Sequence, residues 1–119
     1  MIVHLVLFTP RADVAEADRQ ALAGALDEAV TKIPSIRRFQ IGRRVLIGAA
    51  YEQDAGGAFA YCGIFEFDDR AGLGAYLTHP AHAELGRLFH VTSARTLVHD
   101  FETVSSDVPD TLRRWSDRS

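Results

Sequence analysis

The chain has 119 residues, 47% of them hydrophobic and 24% charged, with a formal net charge of -3. That length and balance fit one globular domain and argue against disorder. The acidic excess offers no basic field for a nucleic-acid backbone, and no apolar run nears the roughly 20 residues of a membrane helix. With no secretory pattern at its start and a single cysteine, Cys62, the chain is expected in the reducing cytoplasm.

Ile2 to Phe8 is an apolar run rich in β-branched residues, which predicts a first strand closed by Thr9-Pro10. Asp13-Val14-Ala15-Glu16 has the form of a capping box and predicts a helix start there. Leu22, Leu26, Ala29 and Ile33 then recur at helical spacing until Pro34 ends the helix. A second extended segment is expected over Ile36 to Ile47, where Arg37, Arg38, Arg43 and Arg44 point to an exposed edge.

Gly48 to Gly57 reads as the loop of a long hairpin, and Ala58 to Phe67 as the third strand, with Phe59, Tyr61, Phe65 and Phe67 on one face. Asp68-Asp69 opens a short helix to about Leu77. Pro80 suits the first turn of a further helix that carries Leu85, Leu88 and Phe89 and ends near His90 or Val91. Thr96 to Phe101 is the last strand, and residues 104–119 read as a polar, loosely held tail after a domain spanning 1–103.

The resulting order, β-α-β-β-α-β, predicts a ferredoxin-like α+β fold with a four-stranded antiparallel sheet. Strands one and three are apolar on both faces, whereas helices in this topology cover only one. The bare face is expected to be closed by a second copy, sheet against sheet, as a homodimer.

Chemistry concentrates in Tyr76-Leu77-Thr78-His79-Pro80-Ala81-His82. A helix start near Pro80 puts His82 in the first turn, with Tyr76 in the turn before the break, so both can face one pocket between helix and sheet. His82 is then a candidate general base, since imidazole titrates near neutrality. Asp100 on the last strand is its expected orienting partner; the same pair would equally serve as a buried brace between helix and strand.

Alternation along strand one puts His4 beside Ile2, Val6 and Phe8, either as a cavity group or as a satisfied core histidine. His79 precedes Pro80, where capping the helix competes with contacting a substrate. No metal site is expected, because His79 and His82 lack third and fourth ligands. The arginine cluster reads as a solvated edge, and Gly56-Gly57 has no phosphate-binding pattern around it.

Val3-His4-Leu5-Val6-Leu7-Phe8, Lys32-Ile33-Pro34, Tyr76 to His82 and Leu97-Val98-His99-Asp100-Phe101 together resemble the stress-responsive A/B barrel (Dabb) family of the dimeric α+β barrel superfamily. The resemblance implies cofactor-free, polyketide cyclase-like chemistry. In it His82 is the base, Tyr76 holds the substrate, Asp100 supports the base, and His4 lines the cavity. Val6, Phe8, Leu22, Leu26, His79 and Gly63 are the implied substrate-contacting positions, Gly63 deepening the pocket by lacking a side chain.

Leu22, Ala23 and Leu26 stand where the family's cyclases carry large aromatics, and Ser93 where they have tryptophan. The expected cavity therefore differs from theirs in shape. The expected ligand is a small apolar, phenolic or polyketide-like molecule. Two other readings stay open: a non-enzymatic, stress-related dimer, and a monooxygenase acting on quinol-like or haem substrates.

Overall fold

The computed structural model describes residues 1–54, 58–104 and 108–114. Its first strand, β1 (Ile2–Pro10), buries every second residue, with Ile2, His4, Val6 and Phe8 turned inward and Val3, Leu5 and Leu7 half-covered on the other face. That two-sided apolar pattern suits an inner strand. β1 indeed sits between β3 (Tyr61–Phe67) and β4 (Ser93–Glu102), while β2 (Arg38–Arg43) forms the edge, giving the order β2-β3-β1-β4 with all pairs antiparallel. The predicted ferredoxin-like α+β fold is what forms.

α1 (Glu16–Lys32) begins two residues later than the capping-box reading placed it. Ala15 is its N-cap and offers no side-chain acceptor; the free amides face instead the acidic charge of Glu16 and Asp18 in the first turn. Ile33, buried and non-helical, donates its amide to the Ala29 carbonyl, and Pro34 follows.

β2 is half the expected length. After Arg43 the chain leaves the sheet, and the Glu52 carboxylate accepts the amides of Ile47 at 2.7 Å and Gly48 at 3.0 Å. Gly48 sits at φ +79°, where a side chain would be strained, and a 3-10 turn spans Ala50–Asp54. The Gly56-Gly57 part of the expected loop lies outside the described residues.

Asp69 caps α2 (Arg70–Leu77), accepting the Gly72 amide at 2.8 Å. α3 (Pro80–Thr92) follows after two residues, with Pro80 in its first turn, and runs one residue past its expected end. The core on the helix-covered face centres on Ile33, Phe65, Phe67, Tyr76 and Leu85, all nearly inaccessible.

On the opposite face Leu97 and Phe101 are exposed, and the register sets them beside Leu7 and Val3. Within the expected loose tail, Val108–Arg113 forms a short helix, α4, just ahead of which Thr103 is tied to Met1. Trp115 lies outside the described residues. Among the described residues no helix is long and apolar enough to cross a membrane.

Candidate functional site

Pro80 both starts α3 and turns the chain, so the last turn of α2 and the first turn of α3 present Tyr76 and His82 to the same side of the sheet. Their rings meet edge to face, with centroids 4.6 Å apart. His4, the fourth residue of the chain, reaches Tyr76 from β1 in a second edge-on contact at 5.5 Å. Tyr76 is thereby flanked by two imidazoles, and Phe65 and Phe67 pack against it from β3.

These three residues, with Val6, Leu85, Phe89, Thr96 and Val98, line a cavity of about 230 Å³ between α3 and the β1–β4 half of the sheet. Leu77 and Val98, both substantially exposed, stand at its edge.

Asp100 does not pair with His82 as expected. Its carboxylate lies 2.5 Å from Nδ1 of His4. The cause is register: in the antiparallel β1–β4 ladder His4 and Asp100 are directly opposite and on one face, so their side chains are immediate neighbours. An ionised carboxylate only accepts, so Nδ1 of His4 carries a proton and donates it. The His4 ring is buried, whereas Asp100 keeps 43% of its side chain exposed.

The protonation chemistry follows from burial. Removal from water, then the nearby His4, push the His82 pKa below its ordinary value of 6.5, opposed by a hydrogen bond to the Leu77 backbone. His82 is therefore a neutral imidazole at pH 7. Burial, followed by the negative charge of Asp100, pushes the Tyr76 phenol well above its ordinary range, so it stays protonated and able to donate.

Of the expected site residues, His4, Val6, Tyr76 and His82 share this cavity, and Asp100 joins it through His4. His79 does not line it. Its Nδ1 accepts the Ala81 amide at 3.0 Å, making it the cap of α3. Phe8, Leu22 and Leu26 do not line it either, because Phe8 packs edge-on against Phe89 at 5.0 Å and closes that end. Gly63 is buried elsewhere: a Cβ there would meet Ile41, Phe39 and Phe65 at 3.7–3.8 Å, so its missing side chain opens no space at His82.

Sequence reasoning did not place Leu85, Phe89, Thr96 and Val98 at the cavity. Leu85 and Phe89 lie three and seven residues beyond His82, the helical spacing that would have marked them. Among the described residues no cluster of His, Cys, Asp or Glu is arranged to hold a metal ion.

A crystal structure of an Arabidopsis thaliana protein matches the fold with a TM-score of 0.73 at 20% identity, covering 91% of this chain and all of that one. Hydroxynitrile lyase from Passiflora edulis matches with a TM-score of 0.72 at 15% identity, over 88% of this chain and 94% of that one. A Thermobifida fusca protein described as dimeric and ferredoxin-like matches with a TM-score of 0.65 at 22% identity, over 86% and 90%. No curated protein matches this chain. Residues 2–103 match the sequence model of the Stress responsive A/B Barrel Domain, and the chain belongs to that family.

Proposed function

We propose that the cavity binds a small single-ring phenolic or polyketide-like ketone and that His82 acts on it as a general base. The observation that carries this reading is Tyr76, a protonated phenol held between two imidazoles on a cavity wall. The volume sets the ligand class: 230 Å³ is the liquid share of about seven or eight waters, enough for one ring with short substituents.

In this mechanism neutral His82 removes a proton from the carbon next to a carbonyl. The C–H electron pair moves to form the enolate, and Tyr76 donates a hydrogen bond to the oxygen where charge accumulates. The enolate carbon then attacks a second carbonyl of the same molecule, forming the carbon–carbon bond. The imidazolium returns its proton to the new alkoxide, and loss of water completes the ring.

His4, held by Asp100, packs edge-on against Tyr76, and its proximity disfavours positive charge at His82. No organic cofactor or metal enters these steps. The existence of a hydroxynitrile lyase on a similar fold agrees with base chemistry on such a scaffold, although fold alone does not assign activity.

A second copy of the chain would cover the open sheet face, where Leu5, Leu7, Ile64, Leu97 and Phe101 lie; the dimeric Thermobifida fusca protein of like fold supports this arrangement.

The test is a thermal-shift screen of wild type and His82→Ala against phenolic acids, hydroxyacetophenones and haemin. A single-ring phenolic ketone at 100 times its dissociation constant is expected to stabilise wild type by about 2.7 kcal/mol. A screen in which no such compound shifts wild type, or in which only haemin does, refutes the proposal.

A further inference from the structure

One end of the sheet gathers positive charge that the chain's net charge of -3 conceals. Arg43 closes β2 and Arg44 follows it, while Arg95 stands opposite Thr9 in the last regular pair of the β1–β4 ladder. Arg43 pairs with Tyr61 and Tyr61 with Phe8, so these strand ends lie side by side. Among the described residues Arg37, Arg38, Arg70 and Arg87 each meet a carboxylate, whereas Arg43, Arg44 and Arg95 form no ion pair.

A groove of about 420 Å³ lies between these strand ends and shares no lining residue with the His82 cavity. Arg43 and Arg44 line it, and Leu46, Phe59 and Tyr61 give it an apolar wall. The Arg95 guanidinium lies 4.5 Å from the centre of the Phe59 ring, a cation–π contact that brings the third charge to that wall.

The groove is built on fixed backbone. Thr9 Oγ1 accepts the Ala60 amide at 3.1 Å, and the Arg44 amide donates to the Ala60 carbonyl at 2.8 Å, so the segment between Phe59 and Tyr61 is tied to β1 on one side and to β2 on the other. Tyr61 is held further by stacking on Phe8 at 5.4 Å. With the Thr9 hydroxyl engaged, the guanidiniums and the Tyr61 phenol are the side-chain donors that remain among the described residues of the groove.

Three like charges brought together repel one another, and an anion seated among them turns that repulsion into attraction. The guanidinium fork matches the oxygens of a phosphate, and its flat face suits an aromatic ring. We propose that this groove binds a small aromatic phosphate ester, at a site separate from the His82 cavity. The phosphate accepts from Arg43 and Arg44, Arg95 adds its charge from the face of Phe59, and the ring lies along Leu46 and Tyr61. A volume of 420 Å³ is the liquid share of about fourteen waters, room for one ring and one phosphate. Among the described residues no side-chain amide or carboxylate lines the groove to pair with the edge of a nucleobase, which selects a plain ring. An apolar wall with a few convergent polar groups is the usual composition of a small-molecule site.

The experiment is isothermal titration, at low ionic strength, of phenyl phosphate and of its two fragments, inorganic phosphate and phenol. The proteins are wild type, Arg43→Gln, Arg44→Gln, Leu46→Asn, Arg70→Gln and His82→Ala, with circular dichroism checking each fold; Arg43, Arg44, Leu46 and Arg70 are all exposed. Wild type is expected to bind phenyl phosphate more tightly than either fragment. Arg43→Gln and Arg44→Gln are each expected to bind it about tenfold more weakly, the worth of one charge-assisted hydrogen bond. Leu46→Asn is expected to bind inorganic phosphate as wild type does and to lose the preference for the ester. Arg70→Gln removes the same charge at the other end of the sheet, beside Glu102, and is expected to bind like wild type, as is His82→Ala.

Absence of phenyl phosphate binding to wild type overturns the proposal. So does inorganic phosphate binding as tightly as the ester, or a loss in Arg70→Gln equal to that in Arg43→Gln, which reduces the effect to net charge. Binding that His82→Ala removes also overturns it, by moving the ligand to the other cavity. Because the proposed ketone is read out at His82 and the phosphate ester at Arg43 and Arg44, either assignment can fail without the other.

Discussion

Replacing Asp100 by Asn takes away the charge to which His4 is bonded while keeping the size of the side chain. A hydrogen bond to a charged group contributes about 1.5–3 kcal/mol, and here the donor ring is buried. Asp100 itself keeps 43% of its side chain in water, which places the loss at the low end, about 1–1.5 kcal/mol.

The Arg37–Asp68 pair is the comparison. It is nearly as close, at 2.7 Å against 2.5 Å, but both side chains are 58% exposed, so Asp68→Asn is expected to cost under about 0.5 kcal/mol. At roughly 4 °C per kcal/mol for a domain of this size, Asp100→Asn should lower Tm by about 4–6 °C and Asp68→Asn by less than about 2 °C. Scanning calorimetry at pH 7.5 and one fixed protomer concentration reads the difference, since association itself raises Tm. Equal shifts for the two substitutions would refute the argument that burial of His4 gives the Asp100 contact its value.

Three further outcomes are expected. His82 has a folded-state pKa below its ordinary 6.5, so its contribution is complete above that pH, and stability falls as pH drops below 6.5 because the unfolded chain binds the proton first; a His82→Gln variant should show a shallower fall in Tm between pH 7 and 5, and an unchanged slope contradicts the assignment. Tyr76 is 2% exposed, so Tyr76→Ala should cost about 3–5 kcal/mol in urea titrations whereas Tyr76→Phe keeps the ring packing and costs under about 1.5 kcal/mol. Leu5→Arg places a charge in the middle of the open sheet face, opposite Ile64 and His99, and sedimentation should show a monomer where wild type is expected to run as a dimer; a variant that sediments like wild type contradicts the proposed sheet-to-sheet pairing.

The strand and helix order was legible in the sequence because its signals are local. The apolar run of β1, the Asp69 cap and the Pro80 helix start each act within a few residues, and each produces its element in the structure. The capping-box reading failed for a local reason too: Asp13 stands one turn ahead of where the chain enters α1, and Ala15 occupies the cap. The end of β2 was obscured because a carboxylate five residues further along the chain, on Glu52, takes the amide of Ile47 that the ladder would otherwise use.

At the site, the cluster of Tyr76, His82 and His4 could be anticipated from helix phase and strand alternation. The partner of Asp100 could not. His4 and Asp100 are 96 positions apart and meet through a strand register that no local pattern fixes. The reach of the cavity was overestimated for a related reason. Phe8, Leu22 and Leu26 do face the same side of the sheet as His82, but the Phe8–Phe89 contact, a tertiary packing event, divides that side in two.

The most direct test of His82 as a base is proton exchange at carbon, which needs neither the natural substrate nor the full cyclisation. A hydroxyacetophenone incubated with the protein in deuterated buffer at pH 7.5 reports, by proton NMR, deuterium entering its methyl group. Wild type is expected to accelerate the exchange, with His82→Ala slower by roughly 10²–10⁴-fold, the range a positioned base supplies, while both proteins melt cooperatively. Acceleration that His82→Ala retains, or exchange by wild type no faster than in buffer, would contradict the assignment of His82 as the base.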